Sequence, residues 1–98
     1  MSLMTEYEEM KPKLRRLLRQ AIMSRIDDLV EAIVTEISVY IDDEREFLDE
    51  YEDIRDLIGC AVEAVFDEET GYGGALMERI SDILYEAADE AVRLAFES

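Results

Sequence analysis

Residues 14–41 read LRRLLRQAIMSRIDDLVEAIVTEISVYI, and the reading of this stretch decides the fold. Apolar residues recur at Leu14, Leu18, Ile22, Ile26, Leu29, Ile33, Ile37 and Ile41, in steps of four or three, joined by Leu17, Ala21, Val30 and Val34. Side chains at that spacing share one face of an α-helix. Ile37, Val39 and Ile41 alternate as in a strand, but they continue the longer helical pattern. The spacing predicts a helix from about Pro12 to about Ile41. Pro12 suits its first position, where a missing N–H leaves nothing unpaired. Upstream, Thr5-Glu6-Tyr7-Glu8 has the spacing of a capping box and predicts a short preceding turn of helix, kinked or ended by Pro12. A break at Ser24, capping a new start with Asp27 three residues on, is the alternative that would make two helices of one.

Working outward, Asp42-Asp43-Glu44 offers carboxylates to the positive end of a second helix, over about 43–66. Phe47, Tyr51, Ile54, Ile58, Val62 and Val65 form its apolar stripe, with Asp49, Asp53, Asp56 and Glu63 opposite. The glycine-rich stretch 67–74 reads as a loop. A third helix is predicted over about 75–96, lined by Leu76, Ile80, Ile83, Leu84, Ala87, Ala91, Leu94 and Ala95. Met77, Ala88 and Val92 widen its apolar arc beyond the ~100° that a surface helix needs. The predicted fold is an all-α antiparallel bundle of three helices, or four if the Ser24 break forms, with homodimerisation covering the surplus apolar arc. Met1-Ser2-Leu3, ahead of a second methionine, reads as vector-derived, leaving residues 4–98 as a single helical domain.

The chain has 98 residues, 26 Asp and Glu against 10 Lys and Arg, no histidine, and a formal charge of −16. Apolar residues make up 49%, too many for a disordered acidic tail. No run approaches the ~20 uncharged residues of a membrane span, and no secretory h-region follows the first methionine. With Cys60 as the single cysteine, an intrachain disulfide framework is excluded, and a cytoplasmic location is expected. Histidine ligation and histidine acid–base chemistry are excluded outright.

The charge is segregated. Residues 11–25 carry Lys11, Lys13, Arg15, Arg16, Arg19 and Arg25 with no acid, whereas residues 26–98 carry 23 acids against Arg45, Arg55, Arg79 and Arg93. A polyanion approaching the whole chain meets net repulsion, which disfavours nucleic-acid and membrane partners. The basic segment is expected to meet acidic surface of its own fold or of a twin subunit. Arg25 falls on the apolar face, with Asp28 at i+3 as its expected partner.

Any metal site here would be all-oxygen and suited to Mg²⁺, Mn²⁺ or Ca²⁺. Asp67, Glu69 and Glu78 have the spacing of three EF-hand ligands, but Gly71 and Tyr72 stand where a ligand and the turn glycine belong. The pairs Glu46/Asp49 and Glu86/Asp89 resemble the paired carboxylates with which all-α nucleotide pyrophosphohydrolases hold Mg²⁺ against a diphosphate. Both pairs sit on polar faces, while metal-binding carboxylates of a bundle point inward. No metal, cofactor or catalytic residue is therefore assigned, and these four stay as metal-ligand candidates. Cys60 lies toward acidic neighbours that disfavour its thiolate. Gly59 suggests a close helix contact, and Tyr72 an anchor or a ring folded over the bundle end.

Together these features predict a non-enzymatic, acidic helical-bundle protein acting through protein–protein interaction, with itself as a dimer or with a basic partner. Met77, Ala88, Val92 and Tyr72 are its expected contact residues. An inhibitor or nucleic-acid mimic is one version, and a Mg²⁺-dependent nucleotide hydrolase is the enzymatic rival. The lysine-poor, acid-rich composition also fits adaptation to high salt.

Overall fold

The computed structural model describes residues 2–97. The chain is all-α, with four helices: α1 (Leu3–Ser24), α2 (Ile26–Asp43), α3 (Ile54–Phe66) and α4 (Tyr72–Glu97). Short 3-10 turns occupy Arg45–Glu50 and Glu68–Thr70. No strand occurs among the described residues, including the alternating stretch at Ile37–Ile41. The helices group into two compact units. One holds the residues up to Asp27 and those from Asp82 on; the other is Asp28–Ser81.

In the first unit, α1 begins earlier than its periodicity predicts. Ser2 is the cap: its backbone is extended, its Oγ accepts the Thr5 N–H at 3.2 Å, and it shares a second hydrogen bond with Thr5 Oγ1 at 2.9 Å. The first turn is thus Ser2-x-x-Thr5, not the Thr5-x-x-Glu8 box. With that end satisfied, the helix runs through Pro12 and gives up one ladder bond there instead of starting at it. Ser2 and Leu3, read from the sequence as vector-derived, serve as cap and first helical residue. The side chains buried in this unit are Ala21, Ala87, Ala91 and Ala95. Leu14, Leu17, Leu18 and Ile22 are half-buried. Lys13 donates to the Ala95 carbonyl at 3.1 Å, and Arg25 reaches Glu90. Partners descend along α4 as they ascend along α1, so the two run antiparallel.

The predicted helix over 12–41 is divided at Arg25, which makes four helices rather than three. Ala21 holds the reason. Its carbonyl accepts from Ser24 Oγ at 2.8 Å and from Arg25 Nη1 at 3.1 Å. Arg25 N–H turns instead to the Ile22 carbonyl at 3.0 Å, closing a tighter turn with Arg25 at φ −110°, ψ 11°. Ser24 therefore ends α1 by bonding backward and does not cap α2. The expected Arg25–Asp28 pair is replaced by Arg25–Glu90, at 2.9 Å.

In the second unit, the predicted helix over 43–66 is realised as α helix only from Ile54. Between Glu44 and Asp53 there are six acids and only Arg45 to offset them, so few favourable side-chain pairs support an α-helix there. The chain takes a 3-10 turn there, and Asp53 caps a fresh start by accepting the Asp56 N–H at 2.9 Å. Leu57, Ala61 and Val65 form the buried face of α3, and Ala32 and Leu76 are buried in the same unit. Asp67 ends α3 and caps the next turn, accepting from Glu69 N–H at 3.0 Å. Gly71 takes the left-handed conformation at φ 86°, which an L side chain resists. The expected loop 67–74 therefore ends early. Helix α4 begins at Tyr72, and Gly73 sits in its first turn because a Cβ there would strike the Asp67 carbonyl.

Candidate interaction surface

The distribution of apolar side chains is unusual. Of the nine core residues buried among the described residues six are alanines, while many large side chains remain open to water. A soluble chain exposes single apolar residues routinely, so what matters is whether they form continuous faces. Two faces and one groove do.

The first face is on α3. Ile54, Ile58, Val62 and Phe66 recur every four residues and are 67, 41, 38 and 46% exposed. They lie beside the buried face of Leu57, Ala61 and Val65, so the apolar arc of α3 is only partly covered. The exposed Arg55 lies within this arc, and Asp56 and Glu63 lie beyond it on the solvent side. Gly59 lies next to it, and a Cβ there would meet nothing within 4 Å, so no close contact inside the chain accounts for a glycine. The unit that holds α3 carries 17 acids against Arg45, Arg55 and Arg79, a formal −14.

The second face is on α1. Arg15, Leu18, Arg19, Ile22 and Met23, spaced i, i+3, i+4, i+7 and i+8, line a shallow hollow of about 300 Å³ on one side of that helix. It is apolar at its floor and cationic at its edge.

The groove lies between the start of α1 and the end of α4. Leu3, Tyr7, Met10 and Leu14 face Val92, Ala95 and Phe96 across about 670 Å³, with Glu6, Glu9 and Lys13 at its rim. Val92, predicted as a contact residue, is 44% exposed here, and Met77 is 43% exposed elsewhere on α4. Ala88 is half-buried. Neither Leu3 nor the α1 hollow was assigned an interaction role from sequence. The i, i+3, i+4, i+7 spacing of cationic and apolar residues from Arg15 was the available signal.

Tyr72 is used within the chain. Its hydroxyl donates to Asp43 Oδ2 at 2.6 Å, and its ring meets Tyr40 edge-on, with centroids 5.4 Å apart and planes at 74°. The hydrogen bond to Asp43, whose charge also opposes a phenolate, raises the Tyr72 pKa above the ordinary tyrosine range. Hydrogen bonding with Tyr51, then burial, then the neighbouring charge of Glu44, push the Tyr40 phenol up to about 12. These tyrosines tie the end of α2 to the start of α4.

The acidic candidates are separate surface groups. Glu46 and Asp49 are exposed on the 3-10 turn, Glu86 and Asp89 on α4. Asp67 is committed to its cap, and Glu69 and Glu78 are exposed. Among the described residues no three Asp, Glu or Cys side chains converge as a metal-holding group. Cys60 is a free, exposed thiol. No described helix is long and apolar enough to cross a membrane. No family model, curated protein or solved structure matches the chain.

Proposed function

We propose that this protein acts by binding protein chains and does no chemistry of its own. The observation that carries this reading is the open α3 stripe, Ile54–Ile58–Val62–Phe66, on a unit whose buried positions are already filled. Apolar faces of this kind gain free energy when covered, at about 25 cal/mol per Å² removed from water. The surrounding charge of −14 selects what covers them: a cationic surface with apolar side chains, brought in by long-range attraction. An inhibitor that occupies a nucleic-acid-binding site is one form of this activity. Native mass spectrometry of the protein recovered from its own cell extract tests the reading. A retained protein chain, whether a second copy or another, is the expected result. A bare monomer, with no protein bound at any ionic strength, would overturn it.

A further inference from the structure

We infer that the partner of the α3 stripe is a second copy of this chain, which covers it with the basic–apolar face of α1. The inference rests on the binding function proposed above and names the partner for that surface.

Two unpartnered faces of one chain have matching chemistry. The α3 face presents Ile58, Val62 and Phe66, with Asp56 and Glu63 along its edge and Arg55 at its N-terminal end. The α1 face presents Leu18, Ile22 and Met23 bordered by Arg15 and Arg19. Each is an apolar strip with charge along its edge: two acids against Arg55 on α3, two arginines on α1. Apolar side chains meeting at the centre exclude water, and the guanidinium groups at the rim are then positioned for carboxylates in a medium less polar than bulk water. Residues 11–25 hold six cations and no acid, although the chain as a whole carries −16. Lys11, Arg15, Arg16 and Arg19 are exposed on that helix and give two such chains a mutual attraction in this orientation. Approaches that leave α1 out set acid against acid. Gly59 fits the same arrangement: beside the stripe, with open space before it, it lets a second helix approach α3 closely.

Charge reversal on each side tests the pairing. One variant carries Arg15→Glu and Arg19→Glu, the other Asp56→Arg and Glu63→Arg, and circular dichroism establishes that each remains helical. By sedimentation, the natural chain is expected at twice the 11.3 kDa monomer mass. Each variant alone is expected to dimerise on the order of a hundredfold more weakly, since like charges then face one another. Their equimolar mixture is expected to recover the dimer. In parallel, carbodiimide cross-linking of the unmodified protein, mixed with a heavy-isotope-labelled copy, is expected to join Lys11 or Lys13 to acids around α3 across two chains. A dimer indifferent to both reversals, or a mixture that stays monomeric, would overturn the pairing while leaving a binding function intact. So would cross-links confined to single chains, which would mean that α1 covers α3 within one molecule. A natural chain that stays monomeric and retains a different cationic protein from cell extract would also overturn the pairing. One that retains no protein at all would remove the underlying reading as well.

Discussion

The guanidinium of Arg25 and the carboxylate of Glu90 lie 2.9 Å apart, sixty-five residues apart in sequence, and the same guanidinium nitrogen bonds the Ala21 carbonyl. One side chain thus ends a helix and ties that end to α4. Both groups are partly shielded, at 21 and 36% side-chain exposure. Arg25→Ala is expected to lower stability by about 1 kcal/mol, as for a partly exposed ion pair with an added hydrogen bond. Thermal unfolding would register this as a midpoint shift of roughly 4–8 °C for a chain of this size. Glu90→Gln, which can still accept, is expected to lose less. Molar salt is expected to narrow the gap between natural chain and variant.

Alkaline titration should report the tyrosine cluster. Folding raises the Tyr40 pKa from 10.0 to about 12, and that of Tyr72 in the same direction. A raised pKa means that the native state holds the proton more tightly than the unfolded chain does. The contribution is therefore complete below pH 10 and is lost as pH climbs toward 12. Phenolate absorbance should show part of the five-tyrosine signal titrating late, and the late fraction should shrink in Tyr40→Phe and Tyr72→Phe.

Two helical glycines are expected to respond oppositely to alanine. Gly59 has open space before it, so Gly59→Ala should stabilise α3 by about 1 kcal/mol in urea unfolding of a monomeric charge-reversed background. Gly73 abuts the Asp67 carbonyl, so Gly73→Ala should destabilise by roughly 1–3 kcal/mol. Equal responses would show that the start of α4 is less tightly set against the preceding turn.

Asp53 is the start signal of α3. Asp53→Ala removes the acceptor for Asp56 N–H and is expected to cost about 1 kcal/mol, whereas Asp53→Asn keeps it and should cost a few tenths. Amide exchange at Asp56 and Leu57 would place the loss at that terminus.

What the sequence revealed and what it concealed follow from the range of the forces involved. The helices were legible because Leu14 to Ile41, Ile54 to Val65 and Leu76 to Ala95 repeat at helical spacing, a signal carried by neighbours on one chain segment. The division at Arg25 was visible only as an alternative, because it depends on two side chains competing for the Ala21 carbonyl and on Glu90 far along the chain. The 3-10 turn at Arg45–Glu50 is hidden in the sequence because Phe47 and Tyr51 keep the apolar period through it. For the surface, Val92 and Met77 could be picked out as surplus to a helical stripe, but which half of the α3 arc stays open depends on where Leu57, Ala61 and Val65 pack.

The alanine-lined interior inverts the usual map of mutational tolerance. Ala61, Ala87 and Ala91 have no exposed surface, so even one added methyl must displace a neighbouring helix. Conversely, the exposed Ile54, Ile58, Val62 and Phe66 can be trimmed at little expense to the isolated molecule, unlike the buried Leu57, Val65 and Leu76. A saturation scan for folding alone should therefore rank the buried alanines beside Leu57, Val65 and Leu76 as the least replaceable. Repeated as a selection for activity in the cell, it should bring the isoleucines and Phe66 up beside them.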